Sequence, residues 1–215
     1  MAARLVLAPV VGAQSLKYMQ KALIVFVRNP ELGKVKTRLA KGIGDVQALQ
    51  VYNRLLKKTH EVIKDIDAHK FVFYADGIKT HDLWENDLFY KAQQTGHDLG
   101  ERMYNAFAYL FDKGYSKVLI IGSDCPALET KIVEDAFLNL NTSEVVIGPT
   151  FDGGYYLLGL KEPISCFFEN KQWSTETVYQ DTIQNIAALD LSHVVLPPLS
   201  DIDTMEDWLP FKDLL

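Results

Sequence analysis

Five basic residues, Arg28, Lys34, Lys36, Arg38 and Lys41, fall in a short stretch that holds a single acid, Glu31. The chain has 215 residues and a net charge of −6, so this cluster suits a small anion such as phosphate better than a polyanion. Beyond position 200 the balance reverses: Asp201, Asp203, Glu206, Asp207 and Asp213 are offset by Lys212 alone. Alternate residues of an extended segment point the same way, so Asp201 and Asp203 could share one cation. Joined by Asp124, they would make an all-oxygen site of the kind that selects Mg²⁺ or Mn²⁺. The plainer alternative is that one of them caps the last helix.

Residues 28–38 first suggest a phosphate-binding loop of the Walker type, but the pattern fails. Arg28 stands where glycine is required, and Lys34 is followed by Val35 instead of Ser or Thr. What is left is a turn at Pro30 and Gly33 that feeds basic residues into a helix, an arrangement able to hold a di- or triphosphate. The alternative is a solvated basic surface. Asp124 ends an apolar run, where a lone carboxylate is costly unless paired or bound to a metal, although it could also cap a helix. Cys125 has no histidine near it in sequence and reads as a small buried residue, not a nucleophile.

Asp152-Gly153-Gly154 permits close backbone approach to a ligand, and a hairpin turn explains it nearly as well. Residues 96–102 open an amphipathic helix with Arg102 on its polar side, while Trp173 and Ser174 fit a buried indole beside a helix cap. The five histidines show no zinc spacing. Asp201-Ile202-Asp203 with Thr204 looks like a dehalogenase-type phosphatase motif, yet only eleven residues follow it, too few for that domain.

The elements that must position these residues alternate. Buried-strand runs are expected at 22–27, 71–75, 118–122, 145–149, 155–160 and 194–196, with residues 82–94 ambiguous between a short helix and a short strand. Helices are expected from Asp45, from about Leu99 to a Gly114 cap, over 129–140, over 175–188 and from Thr204. Such alternation implies an α/β fold, three layers α/β/α around a mostly parallel sheet. Ligands in such sheets sit at the carboxyl ends of the strands, and the segments 28–38, 123–126, 148–154 and 200–204 all follow strand ends.

Composition narrows the class further. At 48% hydrophobic and 23% charged, with two cysteines, the chain is neither disordered nor a disulfide scaffold. No apolar run reaches the ~18 residues of a membrane span, and the acidic balance argues against nucleic acid or an anionic membrane as partner. A reducing, cytoplasmic setting is expected. Residues 1–18 carry a weak signal-peptide character that Pro9 interrupts, so they are expected to be an extension to a single domain over 19–215.

Taken together, Gly33-Lys-Val-Lys-Thr-Arg-Leu39, Asp98-Leu-Gly-Glu-Arg-Met103, Gly122-Ser-Asp-Cys-Pro126, Gly148-Pro149, the run from Asp152 to Gly159, Trp173-Ser-Thr175 and Asp201-Ile-Asp203 resemble a family of small bacterial GT-A-type glycosyltransferases. That family is often described as radical-SAM/selenodomain-associated transferases. The resemblance runs from Met19 to the C-terminus, departing at the first loop, where Leu32 replaces an expected second proline. It implies a nucleotide-diphospho-sugar transferase fold in which Gly33, Lys34, Lys36 and Arg38 hold phosphates and Gly100 and Arg102 approach the nucleotide. Asp124 and Asp203, with Asp201 as the weaker ligand, would bind Mg²⁺ or Mn²⁺. Asp152, Gly153, Gly154, Trp173 and Ser174 would face the acceptor, with Asp152 as a candidate general base.

The leading expectation is a metal-dependent glycosyltransferase that takes a nucleotide-sugar donor and an acceptor the sequence does not name. The runner-up is a nucleotidyltransferase that couples an NTP to a phosphorylated small molecule and releases pyrophosphate. A third reading, a nucleotide-binding accessory protein without turnover, leaves the carboxylates without a use. Oligomeric state is not legible.

Overall fold

The structure, a computed structural model, describes residues 20–213, so the expected extension over 1–18 lies outside it. Strand β1, Lys21–Val27, opens the domain as a nearly continuous buried run, because helices cover both faces of a central strand. Two helices follow it, α1 at Thr37–Ile43 and α2 at Asp45–Ile63, and lead to β2 at His69–Tyr74. Next come β3 at Phe89–Gln93, α3 at Leu99–Asp112, β4 at Lys117–Ile121 and α4 at Thr130–Asn139. The remainder is β5 at Val145–Pro149, β6 at Tyr155–Leu160, α5 at Val178–Ala188, β7 at His193–Val195 and α6 at Met205–Trp208.

These strands make one seven-stranded sheet in the order β3-β2-β1-β4-β6-β5-β7. Every pairing is parallel except those of β6, which runs antiparallel to both β4 and β5. Five residues separate β5 from β6, enough for a reversal and too few for a crossover. Residues 152–154 therefore lie in a hairpin turn. One apolar layer packs α2 and α4 on one face of the sheet, around Leu23, Val25, Tyr52, Leu56, Leu119 and Phe137. The opposite layer packs α3 and α5 around Ile24, Phe71, Phe107, Ile120 and Ile186. The three-layer expectation holds.

The ambiguous stretch resolves into β3 alone, with no helix over 82–88. Side chains tie that stretch down: Tyr74 Oη donates to Asp82 Oδ2 at 2.6 Å, and the buried Lys91 Nζ reaches Asp82 Oδ1 at 2.7 Å. Helix α3 is capped by Asp98, whose side chain accepts from the Glu101 N–H. Helix α6 is capped by Thr204, with Asp207 completing a capping box, so neither Asp201 nor Asp203 is used as that cap. Asp124 is not a cap either, since Glu129 occupies the N-cap position of α4.

Candidate active site

Strand β1 ends at Val27, and the chain is clamped just beyond it, at Arg28, from α2. Tyr52 Oη accepts from the Arg28 N–H at 2.9 Å and donates to the Arg28 carbonyl at 3.1 Å. The chain then turns, with the Lys34 N–H donating to the Glu31 carbonyl at 3.1 Å and Gly33 at φ 72°. Lys34 itself is exposed and paired with Glu31 Oε2 at 2.8 Å.

Lys36, the N-cap of α1, sits in the left-handed region at φ 47° and ψ 46°, which a residue bearing a Cβ adopts only at a cost. Its side chain is 9% exposed, and Nζ lies 3.0 Å from Asp124 Oδ2 just beyond β4. Burial opposes the ammonium charge, but Asp124, with Asp203 and Asp201 behind it, holds the Lys36 pKa above the ordinary lysine value. Two residues on, Arg38 Nη1 pairs with Asp203 Oδ2 at 2.8 Å.

The carboxylates are gathered by the segment that follows β7. The Leu199 N–H donates to the Pro149 carbonyl, the Phe151 N–H to the Leu199 carbonyl, and the Ile202 N–H to the Asp124 carbonyl at 3.0 Å. Those bonds lay residues 199–203 across the ends of β5 and β4. Ile202 is fully buried between the two aspartates, against Leu39 and Leu55. Asp201 is pushed up to about 7, first by burial and then by the Asp124 and Asp152 carboxylates. Asp152 holds its own turn, accepting from Thr150 Oγ1 at 2.5 Å and from the Gly154 N–H at 3.1 Å.

Lys36, Arg38, Asp124, Asp152, Asp201 and Asp203 thus meet at one edge of the sheet, as the strand ends require. The expected cation triad is not formed as such. Among the described residues no three His, Cys, Asp or Glu side chains stand close enough to hold a metal ion. Asp203, expected as a principal ligand, is engaged by Arg38, because a guanidinium at that height of α1 reaches it first.

The glycine motifs form a second group. A Cβ on Gly100 would lie 2.3 Å from the Phe168 carbonyl oxygen and 2.5 Å from Trp173 Nε1, so the indole fills that face of α3. A Cβ on Gly153, at φ 90°, would lie 2.1 Å from the Glu176 carbonyl oxygen, and the Gly153 carbonyl accepts from the Tyr179 N–H. Gly100 and Gly153 therefore seat the loop over 168–177 against α3 and the β5–β6 turn. Ser174 turns that loop at φ 64°, and Arg102 Nε braces the Gly96 carbonyl at 3.1 Å. Trp173 Nε1 is buried with no hydrogen-bond partner.

Cys125 is buried and its thiol is pushed up to about 12, by burial first and the Asp124 carboxylate second, as suits a packing residue. Two features escaped sequence reasoning. Tyr52 fits core periodicity, and nothing in its spacing signals the clamp made by its hydroxyl. Phe151, beside Asp152, is 72% exposed although its backbone is fixed, and a lone aromatic in a turn carries no sequence signature. A groove of about 640 Å³ runs between β3 and α3, lined by Phe73, Gln93, Gly96, His97, Asn105 and Tyr109, and none of the four aspartates borders it.

The fold defines the class: an α/β domain of the kind found in its nucleotide-diphospho-sugar transferase neighbour. The chain belongs to the family of uncharacterized proteins conserved in bacteria, DUF2064, which matches residues 58–175. It is 31% identical to a candidate nucleotide-diphospho-sugar transferase from Desulfovibrio desulfuricans, with 91% of this chain and 89% of that one superposed at a TM-score of 0.83. At the level of fold alone it is similar to 4-diphosphocytidyl-2C-methyl-D-erythritol synthase from Anaerococcus prevotii, at 10% identity, TM-score 0.55 and coverage of 94% and 99%. The same holds for Rv0371c of Mycobacterium tuberculosis in complex with manganese, at 9% identity, TM-score 0.54 and coverage of 91% and 98%. No curated protein matches the chain.

Proposed function

We propose that the protein is a divalent-cation-dependent transferase that moves a sugar from a nucleotide-diphospho-sugar to an acceptor. The observation that carries this reading is the meeting of Lys36 and Arg38 with Asp124, Asp152, Asp201 and Asp203 at one sheet edge. Nucleotide binding alone has no use for four carboxylates, whereas transfer of a group from a diphosphate uses both signs of charge. The donor set suits Mg²⁺ or Mn²⁺: the oxygens are hard, and one ammonium against Asp124, Asp152 and Asp201 leaves negative charge that a dication would neutralise. Asp124 and Asp201 would hold it, with Asp203 joining if Arg38 turns to the phosphates. Bound there, the cation would act as a Lewis acid on the diphosphate.

The residues of the chain divide the remaining work. Lys34, Lys36 and Arg38, with the turn at Gly33, would stabilise charge on the departing nucleotide. Arg102, braced on the Gly96 carbonyl, would shape the wall on the nucleotide side, while Gly100, expected to approach the nucleotide, instead lets Trp173 pack on α3. Gly153, Gly154, Trp173 and Ser174 would form the acceptor side, and Asp152 would take the proton of an acceptor hydroxyl.

A thermal-shift panel of nucleotide-sugars and NTPs, with Mn²⁺ and with EDTA, tests this reading. A ligand at about 100 times its Kd adds about 2.7 kcal/mol, a shift of a few degrees for a chain of this size. A Mn²⁺-dependent shift with one nucleotide-sugar, followed by its turnover and lost in Asp124→Asn, is the expected result. A second reading, nucleotidyl transfer, is supported by the fold shared with the erythritol cytidylyl enzyme. It expects instead a shift confined to one NTP and release of pyrophosphate.

A further inference from the structure

We propose that Lys36 is an exchangeable counter-ion, which yields Asp124 to a divalent cation when a phosphate is present to receive the freed ammonium. Cation and phosphate would then bind as a coupled pair. The inference rests on the reading above, that Asp124 belongs to the cation's donor set.

Three features carry it. Among the described residues, Asp124 is the only side chain with which Lys36 Nζ pairs, and that pair occupies Asp124 Oδ2 at 3.0 Å. A dication on the same carboxylate would face a like charge at close range, so the two occupants compete for it. Second, the ammonium has little solvent to retreat into, since the Lys36 side chain is 9% exposed. Detached from Asp124 it needs another anion, and the flexible four-carbon stem lets it turn toward one. Third, the nearby basic side chains are held differently. Lys34 and Arg38 form exposed pairs with Glu31 and Asp203, which water screens, so only Lys36 is both buried and committed to a proposed cation ligand.

The backbone agrees with this division of roles. Position 36 adopts a left-handed conformation better suited to glycine or asparagine, and its side chain makes no capping bond. A lysine there serves the local turn poorly and the distant carboxylate well. Because coupling between sites is reciprocal, phosphate would tighten cation binding by the same factor as the cation tightens phosphate binding.

The test is Mn²⁺ binding to the full chain, read from the electron paramagnetic resonance of the free ion, with no nucleotide present. Lys36→Met removes the competing charge and is expected to bind Mn²⁺ about tenfold tighter than the wild type or more. Lys36→Arg keeps the charge and is expected to stay near the wild type. Equal or weaker binding by Lys36→Met overturns the exchange. If neither chain binds Mn²⁺, even with pyrophosphate added, the cation assignment itself falls and takes this proposal with it.

A second measurement uses the wild type and is independent of how the variants fold. Acetic anhydride labelling of Lys36, followed by mass spectrometry, is expected to be slow in the free protein. Without phosphate, Mn²⁺ should speed it several-fold only when raised to saturation, and adding pyrophosphate should make it slow again at far lower Mn²⁺. Labelling unchanged by saturating Mn²⁺ overturns the proposal.

Discussion

Lys36 and Asp124 stand 88 positions apart in the chain and 3.0 Å apart in the structure, joined by the ammonium of one and Oδ2 of the other. The first ends the loop after β1 and the second lies in the loop after β4, strands that lie side by side in the sheet. Their pairing therefore fastens two adjacent strand ends across the site.

The left-handed backbone at Lys36 makes a prediction that runs against ordinary helix propensity. Both Lys36→Ala and Lys36→Gly lose the ion pair, but only glycine adopts φ 47° without strain. The glycine variant should be more stable than the alanine variant by about 1 kcal/mol in urea denaturation. Equal midpoints, or a more stable alanine variant, would show that the position carries no strain.

Tyr52→Phe deletes one hydroxyl and with it two bonds to the Arg28 backbone. The site is buried, so the variant should lose about 1–3 kcal/mol. Its nucleotide-induced thermal shift should shrink as well, because the basic loop begins at the clamp. A full-sized shift in a destabilised variant would limit Tyr52 to a role in the core.

Gly153→Ala would drive a methyl group into the Glu176 carbonyl at a positive φ. The loop over 168–177 should detach from the β5–β6 turn, at a cost of about 2 kcal/mol or more. Limited proteolysis reads this directly: new cleavage within 168–177 is expected in the variant and not in the wild type.

His69 supplies a pH dependence far from the site. Burial, aided by Lys70, lowers its pKa, so the folded chain binds a proton there less readily than the unfolded chain does. That contribution to stability is complete above the unfolded value near 6.5 and is lost as pH falls toward the lowered folded value. His69→Gln should flatten this part of the acid slope in urea midpoints taken between pH 7 and 5. An unchanged slope would remove His69 as its source.

The thiols should separate cleanly. Cys125 is buried with its pKa near 12, whereas Cys166 is partly exposed. Iodoacetamide at pH 8 should modify Cys166 alone until the chain is unfolded in urea. Early modification of Cys125 would mean that the Asp124 loop opens.

Much of this architecture was legible before any coordinates. The central strands β1 and β4 are near-continuous apolar runs because both their faces are covered, and the turn residues after them mark the edge that holds the candidate site. The reversal of β6 was legible only as a hairpin alternative at Asp152, since pairing direction leaves no mark on side-chain periodicity when a strand is buried on both faces. The segment before β3 was illegible because side-chain ties from Tyr74 and Lys91 to Asp82 hold it, and those have no period. Within the site, the residue types and the edge they share were readable. The partners were not: Arg38 reaches Asp203 over 165 positions, a contact that depends on where α1 and the segment after β7 come to rest.

The bond from the Ile202 N–H to the Asp124 carbonyl bears on the order in which the chain is made. The cations of the first loop are synthesised first, Asp124 and Asp152 later, and Asp201 and Asp203 after β7. The seven described strands are all encoded before residue 198, so the sheet does not need the segment that completes its pole of opposite charge, although the cluster of Leu39 and Leu55 loses Ile202 without it. A chain stopped at residue 198 would retain every strand and lose two of the four carboxylates. The sheet and the proposed carboxylate set would part company there, and the segment after β7, anchored by the buried Ile202, is what joins them.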